Sequence, residues 1–173
     1  KLENEIPFTE EDKNLYNKIN KHCEELNTKV EETATAYLNQ NKLVCLLGGD
    51  HNSPLGLINA LSKKYESFGI LQIDAHADLR DAYEGFTYSH ASIMFNALKN
   101  TKISKLVQVG IRDICPAEIQ LINNSKNRIK TFFDWDIKAA QYSGKTWEKQ
   151  CKEIINELPD LVYISYDIDG LDP

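Results

Sequence analysis

The sequence predicts an α/β fold: a mainly parallel sheet with helices on both faces. Three observations predict it. Short apolar runs alternate with stretches of helical period along the chain. Several of those runs, such as Leu43–Leu47, are continuous rather than alternating, the mark of strands buried on both sides. Clusters of Asp and His then follow the runs, at the strand ends where open parallel sheets bind ligands.

The elements are expected in the following order. Thr9–Asn39 is a long packing helix. Thr9 is its N-cap, Glu10, Glu11 and Asp12 complement the helix dipole, and Leu15, Ile19, Cys23, Leu26, Val30 and Tyr37 recur at helical spacing. A strand over Leu43–Leu47 and a helix over Ser53–Lys64 follow, with Leu55, Ile58 and Leu61 on one face of the helix. Phe68–Ile73 is a strand, Ala91–Leu98 a helix and Lys105–Ile111 a strand. Pro116 opens a helix at N1, where a missing N–H costs little. Arg128–Phe132 is a strand, Asp134–Gly144 a loop with a short helical turn, Lys145–Leu158 a helix and Leu161–Ser165 the last strand. Asp172-Pro173 makes a turn. By this division, residues 1–42 form an N-terminal helical segment and residues 43–173 the α/β portion of a single domain.

Composition excludes several classes. Twenty Lys and Arg against 26 Asp and Glu give a net charge of −6, which argues against nucleic-acid binding through a wide basic surface. No apolar run approaches the ~20 residues of a membrane span, and the first residues carry no signal-peptide core. An apolar content of 42% is that of a globular chain, not a disordered one. The four cysteines, at 23, 45, 115 and 151, include no Cys-x-x-Cys pair. They are expected as reduced thiols in a cytoplasmic protein, with Cys45 in the core and Cys151 on a helix.

Three clusters carry the chemistry. Gly48-Gly49-Asp50-His51 follows the first apolar run, its glycines allowing a tight turn and close backbone approach. In Asp74-Ala75-His76-Ala77-Asp78, alternate residues of an extended segment point the same way, so three ligand-type side chains converge while the alanines leave room. In Asp167-Ile168-Asp169, two carboxylates share a face, and like charges so close call for a cation. Together His51, Asp74, His76, Asp78, Asp167 and Asp169 offer four carboxylates and two imidazoles, a set suited to two divalent ions. Its oxygen-rich character favours Mn²⁺ over Zn²⁺. Two such ions ~3.5–4 Å apart hold a water and lower its pKa toward neutrality.

These segments, extended to Ser165-Tyr-Asp-Ile-Asp-Gly-Leu-Asp-Pro173, resemble the three signatures of the ureohydrolases, the family of arginase, agmatinase and formimidoylglutamase, in the family's order. The resemblance covers roughly Leu43–Pro173. It implies a three-layer α/β/α sandwich. It also implies two Mn²⁺ ions, one held by His51, Asp74, Asp78 and Asp167, the other by Asp74, His76, Asp167 and Asp169. Asp74 and Asp167 would bridge, and Asp78 would orient the attacking water. Tyr88-Ser89-His90-Ala91-Ser92 resembles the segment whose histidine borders the substrate and moves protons, a role that falls to His90.

The run from Asp78 to Ser92 is most similar to agmatinases, implying hydrolysis of agmatine to putrescine and urea. Arg80 either clamps a substrate carboxylate, as formimidoylglutamate would offer, or pairs structurally with Asp81 or Glu84. Arginase activity, a two-metal phosphoesterase and an inactive fragment or interaction module that keeps only the metal site are the alternatives. The partners expected are a small guanidino substrate and a second copy of the chain, with neither nucleic acid nor membrane. The sequence given stops just after the last motif, short of the family's guanidinium-binding glutamate, so this chain is expected to be a poor enzyme by itself.

Overall fold

The computed structural model describes residues 9–171. The Asp172-Pro173 turn expected from sequence lies outside them.

Helix α1, Glu10–Leu38, begins at Thr9 with a reciprocal cap: Thr9 Oγ1 accepts from the Asp12 N–H at 3.2 Å, and the Thr9 N–H donates to Asp12 Oδ2 at 2.8 Å. Its buried face runs through Asn27, Ala34 and Leu38, while Leu15, Leu26 and Tyr37 of the expected apolar stripe are about half exposed. The contacts of α1 are chiefly with α2, Leu55–Lys64, through Ala34, Leu38, Leu57 and Ala60. Its N-terminal half meets the 83–87 turn, with Tyr16 stacked on Phe86 and Asn20 bonded to the Gly85 carbonyl and the Thr87 N–H, so its buried stripe stays narrow.

Four strands, β1 (Phe68–Ile73), β2 (Ile103–Ile111), β3 (Ile129–Phe133) and β4 (Val162–Tyr166), form one parallel sheet in the order β3-β2-β1-β4. One face carries α2, α3 (Ile93–Leu98) and α4 (Pro116–Asn124), whose side chains surround Phe68, Ile70, Leu106 and Ile129. The other face carries α5 (Asp134–Tyr142) and α6 (Trp147–Asn156) against Leu71, Val107, Val109 and Phe132. The sheet thus lies between two helical layers, as the alternation predicts.

Three expectations are corrected. Leu43–Leu47 pairs with no strand among the described residues. It keeps strand-like alternation: Val44 and Leu46 pack on the α1–α2 cluster, and Leu43 and Leu47 are fully exposed. Helices cover one of its faces only, and no strand ladder receives its backbone. Cys45, on the outward side, is exposed rather than in the core, and all four cysteines are free. Asp134–Gly144 is mostly helix, not loop, because Ile137 docks on Val107 and Val109. Tertiary burial there supplies what local propensity does not. Among the described residues, no helix is long and apolar enough to cross a membrane.

Candidate metal centre

Strand order decides the site. β1 and β4 are neighbours in register Ile73↔Tyr166, so the residues that follow them, Asp74 and Asp167, emerge side by side at the C-terminal edge. The Asp167 N–H donates to the Ile73 carbonyl at 2.9 Å, and the Asp74 N–H to the Val109 carbonyl at 3.2 Å, which ties both ligand segments to the sheet. A tight turn over Ile168–Gly170 then lies directly on Asp74. A Cβ on Gly170 would stand 2.8 Å from the Asp74 nitrogen, so only glycine permits this approach.

Six candidate side chains gather here. His51 Nδ1 lies 3.0 Å from Asp74 Oδ2, 2.7 Å from Asp78 Oδ2 and 3.5 Å from Asp167 Oδ2. His76 Nδ1 lies 3.6 Å from Asp74 Oδ1 and 3.0 Å from Asp169 Oδ2. Two groups result, His51–Asp74–Asp167 and Asp74–His76–Asp169, each with one ligand atom per residue within 4.8 Å of the others. Asp74 is common to both, and Asp167 falls in the first group alone. Asp78 reaches His51 from a left-handed backbone conformation, φ 54°, which Asp tolerates better than most residues. Its carbonyl accepts the N–H groups of Met94 and Phe95, so α3 begins on the same residue that faces the site.

The electrostatics are those of an anionic cluster around one imidazole. Burial opposes charge on His51, but the Asp74 and Asp78 carboxylates overcome it and push its pKa up to about 10. Burial above all pushes the Asp78 carboxyl up to about 6. Asp74 feels burial as well, yet His51, the His76 N–H and the Gln72 amide hold it below the usual carboxylate range. Despite the short distances, His51 Nδ1 is buried with no hydrogen bond of acceptable angle. Its other nitrogen, Nε2, is 2.8 Å from Ser165 Oγ. A buried ring nitrogen ringed by carboxylates and left without an aligned donor or acceptor fits a cation, as does the carboxylate-rich donor set.

The remaining expected residues line the same cavity of about 430 Å³. His90, 61% exposed at the start of a short 3₁₀ turn, has Nδ1 3.9 Å from Asp50 Oδ2 and meets the Tyr83 ring edge-on. Arg80 pairs with neither Asp81 nor Glu84: its Nε is 3.8 Å from Glu118 Oε2, and its guanidinium lies over the Tyr83 ring at 4.6 Å. That corrects the structural partner expected from sequence. Glu118, 3% exposed, also accepts the N–H groups of Leu79 and Cys115, both at 2.9 Å, so α4 and the ligand loop share one carboxylate. Arg112 donates to the Asp169 carbonyl at 2.6 Å and the Leu171 carbonyl at 3.1 Å, clamping the turn that carries Asp169. Sequence reasoning did not single out Glu118, Arg112 or Ser165. The one available signal was a glutamate three residues after Cys115 at a helix start, a capping pattern.

Comparison with known proteins agrees with this geometry. Residues 4–173 match the model of the arginase family. A curated relative, the N(1)-aminopropylagmatine ureohydrolase of Thermus thermophilus, is 35% identical over 151 residues, covering 87% of this chain and 48% of that protein. The mitochondrial arginase 1 of Oryza sativa is 33% identical over 150 residues, covering 83% and 41%. Among solved structures, the agmatine ureohydrolase of Thermoplasma volcanium superposes with a TM-score of 0.71 at 27% identity, covering 87% of this chain and 48% of that one. The arginase of Medicago truncatula gives 0.70 at 29%, covering 87% and 46%. The chain therefore spans about half the length of the relatives it matches.

Proposed function

Because the chain belongs to the arginase family, we propose that it carries the metal-binding half of a manganese-dependent hydrolase that cleaves a guanidino C–N bond, with agmatine giving putrescine and urea. The observation that carries this reading is the pair of ligand groups sharing Asp74. His51, Asp74, Asp78 and Asp167 would hold one Mn²⁺, and Asp74, His76, Asp167 and Asp169 the other. Bound there, the ions supply Lewis acidity and a water acidic enough to attack at neutral pH.

The chain's own residues do the rest. Asp78, buried beside His51, orients the attacking water by accepting one of its protons in a hydrogen bond. As the water oxygen bonds to the guanidinium carbon it gives one proton to Asp78; the bond from that carbon to the alkyl nitrogen then breaks, the departing amine takes a proton, and the hydroxyl left on carbon loses its proton to solvent to give urea. His90, open to solvent at the cavity wall, delivers that proton from its ring and recovers one from bulk water.

An amine tail suits the cavity better than a carboxylate. Arg80, the cation that would clamp a carboxylate, is engaged by Glu118 and Tyr83. Asp50 and Asp113 meanwhile line the wall with their carboxylates well exposed. Urea release by the Mn²⁺-loaded protein tests this with agmatine, arginine and 4-guanidinobutyrate side by side. Agmatine should be turned over at the highest kcat/KM. Faster release from arginine would reject the amine-tail assignment and leave the hydrolase reading intact, and phosphate release from phosphoesters without urea release would reject both.

Ser165 should matter to metal binding although it is no ligand. Its contact with His51 Nε2 fixes the ring orientation and leaves Nδ1 facing the carboxylates. Ser165→Ala is expected to weaken Mn²⁺ binding by about 10–100-fold, the usual cost of removing an outer hydrogen bond from a histidine ligand. Mn²⁺ titration by equilibrium dialysis reads this directly, and an unchanged dissociation constant would remove Ser165 from the account.

A further inference from the structure

A row of polar side chains crosses the sheet just beneath the ligands. Sheet register sets Thr131 of β3 opposite Gln108 of β2, Gln108 opposite Gln72 of β1, and Gln72 opposite Ser165 of β4. Gln72 and Gln108 are completely buried, on the same face as Ile70 and Leu106. Apolar residues at these positions would pack with no polar group to satisfy, so the amides call for a reason.

Their hydrogen bonds run in one direction. Thr131 Oγ1 donates to Gln108 Oε1 at 2.8 Å. Gln108 Nε2 donates to Gln72 Oε1 at 2.6 Å and to the Ala77 carbonyl at 2.7 Å. Gln72 Nε2 donates to Asp74 Oδ2 at 2.8 Å and to the His76 carbonyl at 3.1 Å. Both protons of each amide nitrogen are used, and each amide oxygen accepts one bond. Flipping either amide would set nitrogen against nitrogen or oxygen against oxygen, so the sense of the chain is locked. Asp74 Oδ1 is held separately by the His76 N–H at 2.7 Å. Its carboxylate is thus gripped at both oxygens, and the two carbonyls tied to the amides, Ala77 and His76, belong to the ligand segment itself.

We infer that Thr131, Gln108 and Gln72 are positioning residues: a hydrogen-bonded relay across three strands that sets the plane of the Asp74 carboxylate and the path of the Asp74–Asp78 loop, and so tunes metal affinity from a position well behind the ligands. The relay rests on the metal reading of the site. A fully satisfied buried network of this kind fixes one geometry, because breaking any member strands its neighbours without partners.

The test uses the 173-residue chain and Mn²⁺ alone. Equilibrium dialysis gives the affinity and the number of ions per chain, electron paramagnetic resonance of the loaded protein reports the coupling of the ions, and thermal unfolding of the metal-free protein serves as the control. Gln72→Met keeps the side-chain length and removes the donor to Asp74. It should weaken Mn²⁺ binding by about 10–100-fold and alter the resonance signal. Thr131→Val, which deletes one remote hydroxyl and touches no ligand, should weaken binding in the same direction through the same chain, by a smaller factor than Gln72→Met, and Thr131→Ser should restore it. If Thr131→Val and Gln72→Met lower the unfolding midpoint while affinity and spectrum stay at wild-type values, the row is only structural and the inference is overturned. A wild-type chain that binds no Mn²⁺ would overturn the metal reading and the relay with it, a result distinct from unaffected variants.

Discussion

Asp74→Asn is expected to abolish Mn²⁺ binding at both positions, weakening it well beyond the ~10–100-fold that loss of an outer hydrogen bond costs, and to remove any urea release. Three facts set the size of the effect. Asp74 is the one residue common to the two ligand groups. It is fully buried, so no water can take the place of a lost ligand oxygen. Each of its oxygens already accepts a hydrogen bond, one from the Gln72 amide and one from the His76 N–H. An asparagine offers a single oxygen, so its NH₂ must face one of these two donors. The substitution therefore removes the charge that two cations need and also pushes the side chain out of its plane. Metal counting by elemental analysis checks this, and two Mn²⁺ per chain retained in the variant would contradict it. Asp167→Asn should cost less, because Asp167 is far more exposed than Asp74 and water can take the place of its lost oxygen.

Gly56→Ala should produce the largest loss of stability among conservative changes. Gly56 lies in the first turn of α2, where α1 crosses it at backbone contact. A Cβ there would run into the Asn27 carbonyl oxygen, the Val30 Cβ 2.8 Å away and the Glu31 nitrogen 2.9 Å away. Two of these are backbone atoms of a helix and cannot rotate aside. Alanine would gain about 1 kcal/mol in intrinsic helix propensity. Overpacking a close contact costs typically ~1–3 kcal/mol, occasionally more, and here the neighbours cannot yield, so the clash outweighs the propensity. The helices must separate, which also opens the Ala34–Leu57 contact beside them. The expected result is a net loss of about 1–2 kcal/mol, a drop of roughly 2–8 °C in the thermal midpoint for a chain of this size. Circular dichroism melts of wild type and variant decide it, and a midpoint at or above wild type would show that propensity wins and that α1 is not seated as described.

The fold class was legible because apolar runs buried on both faces and helical spacing leave distinct marks on a sequence. Phe68–Ile73 shows this best: its predicted bounds are those of β1. The ligand clusters were legible for a related reason. Asp and His packed together at strand ends are costly without a cation, so their concentration in three short segments is informative by itself. His51 and Ser165, in contrast, are 114 residues apart in sequence and in contact in space.

Residue type and local period determined where strands, caps and candidate ligands fall, since those depend on neighbours a few positions away. The tertiary structure decided the rest. It set the strand order, which puts β4 beside β1 and so brings Asp167 to Asp74. It gave Arg80 to Glu118, a partner 38 residues away that no local pattern indicates. It turned Asp134–Tyr142 into helix through the docking of Ile137, and it left Leu43–Leu47 without a strand partner among the described residues. It also aligned Thr131, Gln108 and Gln72 in one row, because side chains on adjacent strands meet only when the register is set. A one-residue slip would turn each of them to the opposite face, and register is a property of the assembled sheet.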